Sequence, residues 1–369
     1  MKPLVLVWDN FGPIHDDRCQ AVALRFPNRV VIGLELGGRS GTYAWENLPV
    51  SHFTKITLLK DADFLAQPFW KQLRALVPKV LSMGKADFLF CHYERTSVLV
   101  AAWLLRLLGR RVFVMGCSKF DDYERHLGRE NLKRIFYSPY LGGIASRGRS
   151  IAYMRFLGFK RRPLVEGYNT VSVDRFRALA NVPSAPAGTP FAERHFTIVA
   201  RLVEKKNVTT ALEAFALFAG RTGIPRKLVI CGNGPLEGEL RAQAVALDIA
   251  DLVEFRSFLQ SDGVAAALGN TLALLLPSLS EQFGNVVIEA QALGVPVILS
   301  DNAGARELLV RNGVEGFVLE PRNVEGWSRF LQLISDDEAL WTRLSINAAA
   351  RAELGDVRQF AEGVAKLVE

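Results

Sequence analysis

The sequence predicts two α/β domains in tandem, each a doubly wound parallel sheet flanked by helices. Three observations carry that expectation. The chain has 369 residues, more than one ordinary core organises. Short apolar runs of strand length alternate with amphipathic stretches of helix length, which is the pattern of βαβ units around a parallel sheet. The alternation breaks once, at the Ala- and Pro-rich "ALANVPSAPAGTP" of residues 178–190, and then restarts, so that stretch reads as an interdomain linker. The expected domains are 1–180 and 191–354, with a C-terminal helix at about 355–369 packing back on the first.

In the first half, "LVLVW" (4–8), "VVIGLEL" (30–36), "FLFC" (88–91) and "RVFVMG" (111–116) read as strands. Each is short, rich in β-branched or aromatic residues, and bounded by polar residues, Gly or Pro. "TSVLVAAWLLRLLG" between them reads as a helix that Gly109 caps. In the second half the strands are "FTIVARL", "KLVICGNGP", "VEFRSFL", "LALLLPS" and "VPVILSD". No internal repeat is present, so the halves are similar architectures rather than a tandem array. In this fold class ligands bind at the carboxyl ends of the strands.

Composition is that of a soluble globular protein, 49% hydrophobic and 22% charged. The four cysteines are far apart without a C-x-x-C pair, which fits free thiols in a reducing compartment rather than a disulfide scaffold or structural zinc. The apolar run at residues 3–8 is cut by Asp9 and is too short for a signal-peptide core. The run at 98–105 ends at Arg106, short of the roughly 20 residues a bilayer needs. A cytoplasmic protein is expected. Net charge is +7, split unevenly: residues 1–188 hold 28 Lys and Arg against 15 Asp and Glu, a net of +13, and the remainder is −6. A basic front half suits an anionic membrane surface, an acidic polymer or nucleic acid; a solvated surface without a partner is the alternative.

Three loops of the second half, each directly after an expected strand, carry chemistry. In "VARLVEKKNV", Arg201 ends a strand and Lys206 precedes a helix; two cations on such an edge can neutralise a diphosphate. In "CGNGPLEGEL", Gly232 and Gly234 form a tight turn that a ligand can approach. With Glu237 where a third Gly would stand it is no dinucleotide fingerprint, and taken alone it is a structural turn. In "SLSEQFGNVVIEAQALG", Glu281 precedes a helix and Glu289 follows two turns later. The N–H groups near Phe283, Gly284 and Asn285 are donors at a helix start, and ionised carboxylates are acceptors suited to vicinal sugar hydroxyls.

The ordered set of Arg201, Lys206, the Gly232-x-Gly234-Pro235 turn and E-x7-E (Glu281, Glu289) resembles the retaining glycosyltransferases of family 4, closely over residues 195–350. The resemblance implies the GT-B fold, two Rossmann-like doubly wound domains facing across a cleft. It implies that Glu289 binds the ribose hydroxyls of a nucleotide-diphosphate sugar and that Glu281 lies beside the transferred sugar. Arg201 and Lys206 would hold the leaving diphosphate, and the backbone of Phe283, Gly284 and Asn285 would contact sugar and phosphate. Phe258 would lie near the base, and no metal or bound cofactor would be required. The acceptor would be a saccharide or lipid-linked saccharide in polysaccharide or glycoconjugate biosynthesis.

The first half is similar more loosely. The family's glycine-pair loop is here "DNFGPIHDDR", with Gly12 alone, and Gly12 would approach the diphosphate. Asn207 and Ala200 stand where the family commonly has Gly. In "CSKFDDYERH", Ser118, Lys119, Asp121 and Asp122 are acceptor-side candidates, unless the loop merely caps a helix through Asp121. His15 and His92 follow strands, where a lone His is more often structural than catalytic. The "DAD" at 61–63 reads as a solvated turn, not a metal site. Basic clusters "RGRS" and "KRRP", with Tyr153, Phe156 and Phe159 between them, suit peripheral contact with an anionic membrane at its cytoplasmic face. Nucleic acid is not an expected partner. Two other readings stay open: a GT-B-like nucleotide-sugar epimerase or sugar phosphorylase, and a non-catalytic nucleic-acid-binding or scaffold protein on a degenerate transferase fold.

Overall fold

In the computed structural model, residues 2–39, 45–46, 48–122, 124–221, 223 and 226–369 are described. The chain divides into two units, Met1–Thr170 with Val357–Glu369, and Val171–Asp356. The front boundary falls before the Ala- and Pro-rich stretch. That stretch is packed rather than free: Ala185 is buried and its N–H donates to the Leu293 carbonyl at 2.8 Å.

The first unit holds seven strands: β1 (Leu4–Trp8), β2 (Val31–Gly37), β3 (Thr54–Leu59), β4 (Asp87–Phe90), β5 (Arg111–Gly116), β6 (Gly143–Ala145) and β7 (Leu164–Glu166). They lie in the order β3-β2-β1-β4-β5-β6-β7, all parallel. Both faces are covered, so alternate residues of one strand serve two cores. Val5 and Val7 join Phe88 and Phe90 on one face, while Leu4, Leu6 and Trp8 join Leu89 and Phe113 on the other. This is why β1 reads as an unbroken apolar run. The helix Val357–Val368 closes the second of these cores with Phe360, Ala361 and Val364. Four strands escaped the sequence reading, three of them here and the fourth the strand Gly316–Leu319 of the second unit. β6 and β7 have only three residues each, and β3 is a half-exposed edge strand without a continuous apolar run.

The second unit holds β8 (His195–Val199), β9 (Leu228–Cys231), β10 (Val253–Arg256), β11 (Thr271–Leu276), β12 (Val297–Ser300) and β13 (Gly316–Leu319). The order is β10-β9-β8-β11-β12-β13, again all parallel. From β8 the chain winds outward through β9 and β10, then returns past β8 to continue with β11. The strand order therefore reverses between β8 and β11, and at such a point the loops diverge and leave a crevice for ligands. Among the described residues, no helix is long and apolar enough to cross a membrane.

Candidate functional site

At the reversal point of the second sheet the loops after β8 and β11 meet. Lys206 ends a short 3-10 turn, Glu204–Lys206, and its ammonium donates to the Glu281 carboxylate from the loop after β11. Both side chains are 16% exposed, enough for a ligand to reach them. The Leu279 N–H donates to the Lys205 carbonyl at 2.9 Å, so backbone as well as charge joins the two loops. Arg201 lies two residues past β8, partly exposed.

Asn207 explains one departure from the family pattern. It has φ +54° and ψ +39°, the left-handed region where Gly is easiest and Asn the next best residue. Its amide donates to the Pro277 and Pro321 carbonyls at 3.0 and 2.9 Å, and its oxygen accepts from the Thr210 hydroxyl at 2.9 Å. The substitution keeps the backbone shape and adds ties.

The glycine turn after β9 has a use beyond ligand approach. A Cβ on Gly232 would stand 1.9 Å from the Ala200 carbonyl oxygen, and one on Gly234 would stand 2.3 Å from that of Leu202. Only glycines let this turn press on the segment that carries Arg201. The Leu202 N–H donates to the Asn233 carbonyl at 2.8 Å and fixes the contact. The Gly232 N–H donates to the Arg256 carbonyl, which places Phe258, 36% exposed, just beyond the same edge.

The loop after β11 turns at Gly284, φ +100°, into the helix Val286–Ala292. The Phe283 and Gly284 N–H groups donate no hydrogen bond among the described residues. The Phe283 side chain is buried, and Asn285 caps the helix start. Glu289 lies in the first turn of that helix, and its carboxylate makes no hydrogen bond or ion pair among the described residues. Burial raises its pKa to about 7, and the charge of Arg175 offsets this only in part. Arg175 was missed by sequence reasoning because its electrostatic tie to Glu289 spans more than a hundred positions.

The first unit places its sequence-predicted residues at the same edge of its own sheet, after β1 and β5. Gly12 caps the helix Pro13–Arg25, and its N–H donates to His15 Nδ1 at 3.0 Å. Burial, then the neighbouring Arg18 charge, holds the His15 pKa well below its ordinary value, so this histidine is a neutral cap. The ring of Trp45 lies over Gly12. Among the acceptor-side candidates, Lys119 is 1% exposed and pairs with Asp121 at 3.2 Å. Asp122 is buried and accepts the Lys119 N–H at 3.0 Å. Ser118 is partly exposed and Asp121 exposed; they are the two whose polar groups reach solvent. Asp63 accepts from the Leu65 and Ala66 N–H groups at 2.9 and 3.3 Å and so organises a turn. No group of three metal-ligating side chains occurs among the described residues.

The reversal point of the first sheet, between β1 and β4, gathers a second set of titratable groups. Asp9 follows β1; His92 and Glu94 follow β4, with His92 Nδ1 3.5 Å from Glu94 Oε1. Burial opposes protonation of His92, but Cys91 and Glu94 outweigh it and raise the imidazole pKa well above its ordinary range. Burial raises the pKa of Asp9, with His92 opposing. His92 adopts φ +56°. Read singly from the sequence it looked structural; its neighbours make it one of a charged group.

Residues 187–351 match the family model of glycosyl transferases group 1. The D-inositol 3-phosphate glycosyltransferase of Streptomyces scabiei is 33% identical over 193 residues, covering 50% of this chain and 43% of that one. The amylovoran biosynthesis glycosyltransferase AmsK of Erwinia amylovora is 30% identical over 161 residues, covering 42% and 39%. Each match thus spans less than half the length of the curated relative. Among solved structures, sucrose-phosphate synthase of Thermosynechococcus elongatus superimposes with a TM-score of 0.73 at 18% identity over 100% of this chain and 98% of that one. HepE of Anabaena in complex with UDP gives 0.73 at 17% identity over 99% of each chain. Residues 187–351 thus carry the domain that the model of glycosyl transferases group 1 describes, and over its whole length the chain carries the GT-B fold.

Proposed function

We propose that the protein is a retaining glycosyltransferase that moves a sugar from a nucleotide-diphosphate donor to a saccharide or lipid-linked saccharide. The observation that supports it most is the Lys206–Glu281 pair at the reversal point of the second sheet, with the Arg201 loop beside it. A donor diphosphate competes with Glu281 for Lys206. Its arrival transfers the ammonium to phosphate and leaves the Glu281 carboxylate to accept sugar hydroxyls. As the sugar–phosphate bond breaks, negative charge grows on the diphosphate and positive character on the sugar. Arg201 and Lys206 stabilise the first and Glu281 the second. Phe283 and Gly284 N–H groups are donors for phosphate or hydroxyl oxygens, Glu289 for its part accepts from the ribose hydroxyls, and Phe258 offers a ring face to the base.

With two fixed cations at the leaving group the reaction needs no metal, and a departing phosphate oxygen takes the acceptor proton. On the acceptor side Ser118 and Asp121, which reach solvent, take precedence over Lys119 and Asp122, which are buried. The acceptor's site of action is the cytoplasmic face of a membrane, reached by peripheral contact. The test is turnover of a panel of nucleotide sugars with and without EDTA and saccharide acceptors. Transfer that survives EDTA and falls on the order of 100- to 1,000-fold in Lys206→Ala is expected. Release of free sugar epimer, or turnover that requires inorganic phosphate, would replace this reading with an epimerase or a phosphorylase.

A further inference from the structure

The short helix Leu127–Lys133 in the first unit is inside out. Its Glu130 is 1% exposed, whereas Leu127 and Leu132 on the same helix are 61% and 62% exposed, and Ile135 just after it is 55% exposed. A helix on a water-facing surface places its carboxylate outward and its leucines inward. Here a buried polar network holds the reverse arrangement. Glu130 accepts from the Tyr153 hydroxyl at 2.5 Å and from Lys133 at 2.6 Å, and pairs with Arg125 at 3.3 Å. Burial opposes ionisation of Glu130, but Lys133 and Tyr153 outweigh it and hold its pKa below the usual carboxylate range. The carboxylate is therefore a permanent anchor, and the leucines stay outside.

The surface around the helix continues in kind. Phe120 and Phe156, 43% and 37% exposed, meet edge to face at 5.5 Å, and Phe120 also touches the Tyr153 ring. Arg134 lies beside Gly158. Arg162 donates to the Tyr137 and Tyr140 carbonyls at 2.6 and 3.0 Å, which brings the 160–163 segment alongside. Residues 147–163 contain six Arg or Lys and no Asp or Glu. Tyr153 and Phe159, which the sequence offered for surface contact, are core residues at 1% and 0% exposure; the exposed apolar groups come from the 120–135 segment instead.

We infer that this face, Leu127, Leu132, Ile135, Phe120 and Phe156 rimmed by Arg134, Lys160 and Arg161, docks the first unit on an anionic lipid bilayer. Charge complementarity selects the partner: exposed cations beside exposed apolar side chains match a negatively charged interface, where each group gains. The inference deepens the acceptor class proposed above and uses none of the donor-site residues.

Co-sedimentation with vesicles of phosphatidylcholine alone and of phosphatidylcholine with phosphatidylglycerol tests it. Binding is expected to the anionic vesicles only and to weaken as salt rises. Leu127→Gln with Leu132→Gln, and separately Lys160→Gln with Arg161→Gln, should each lower partitioning by about tenfold or more. Nucleotide affinity by calorimetry should stay at the wild-type value in both variants, which shows that they fold and keeps this result separate from the donor-site reading. Equal binding to neutral vesicles, or unchanged partitioning in both variants, overturns the inference. So does a wild-type dimer that the leucine variant turns into a monomer without any vesicle binding.

Discussion

Glu289→Gln keeps the shape of the side chain and removes its charge, and the structure gives that change two opposite consequences. In the folded protein burial raises the Glu289 pKa from 4.5 to about 7. Between those values the folded state holds a proton that the unfolded chain has released. Stability therefore falls as pH rises through that window and stays reduced above it. At about 1.4 kcal/mol per pH unit the reduction is roughly 3 kcal/mol. Glutamine carries no ionised form to desolvate. The variant should be more stable than wild type by roughly 1–3 kcal/mol at about pH 8, and the gain should vanish by about pH 4.5. Binding moves the other way. A carboxylate accepting ribose hydroxyls contributes roughly 1.5–3 kcal/mol, so nucleoside diphosphate affinity should drop about tenfold to a hundredfold. The wild type should also bind more tightly at about pH 8 than at about pH 6, because only the ionised carboxylate is a full acceptor; the variant should lose that difference. Urea melts at both ends of the window, with calorimetry on the same samples, measure both quantities. A variant no more stable than wild type at the alkaline end refutes the desolvation argument. An unchanged nucleotide affinity refutes the role.

Gly284→Ala imposes a side chain at φ +100° and sets a Cβ 2.9 Å from Leu276; a loss of roughly 1–3 kcal/mol in the urea midpoint and weaker nucleotide binding are expected. Asn207→Gly and Asn207→Ala both remove the ties to Pro277 and Pro321, but only Ala is strained in the left-handed region. Ala should be the less stable by about 1 kcal/mol in thermal or urea melts, and equal losses would show that the backbone shape is not what the position selects. Glu130→Gln removes one of the two carboxylates, Glu130 and Asp122, that pair with Arg125 in a buried network. It should lower stability by roughly 1–3 kcal/mol while calorimetry finds nucleotide affinity unchanged.

Much of the fold was legible because doubly wound sheets bury both faces of their strands. β1 and β11 are unbroken apolar runs and declare themselves. β6 and β7 did not, since three residues at a sheet's far edge carry no period. The residues proposed for the donor site stand in the sequence as an ordered set of loop motifs, yet their partnerships were not legible there. Lys206 and Glu281 are 75 positions apart, and nothing local to either names the other. Asn207 looked like a departure until its backbone angles showed that the position selects a conformation rather than a residue type. The helix Leu127–Lys133 was hidden for a different reason. Sequence patterning assumes that leucines face the core, and here the network around Glu130 reverses the rule.

The return of the helix Val357–Val368 to the first unit also bears on how the chain is made. The sheet face of Leu4, Leu6 and Trp8 is covered in part by residues that are made only after the whole second unit. At about 5–20 residues per second, the segment between Thr170 and Val357 takes on the order of 10–40 seconds to synthesise. For that interval the first unit waits with an open apolar face, while the second is contiguous in sequence and needs no later segment for its own core. Fragments should behave accordingly: residues 171–356 expressed alone should be soluble, and residues 1–170 alone should aggregate unless the last helix is supplied in trans.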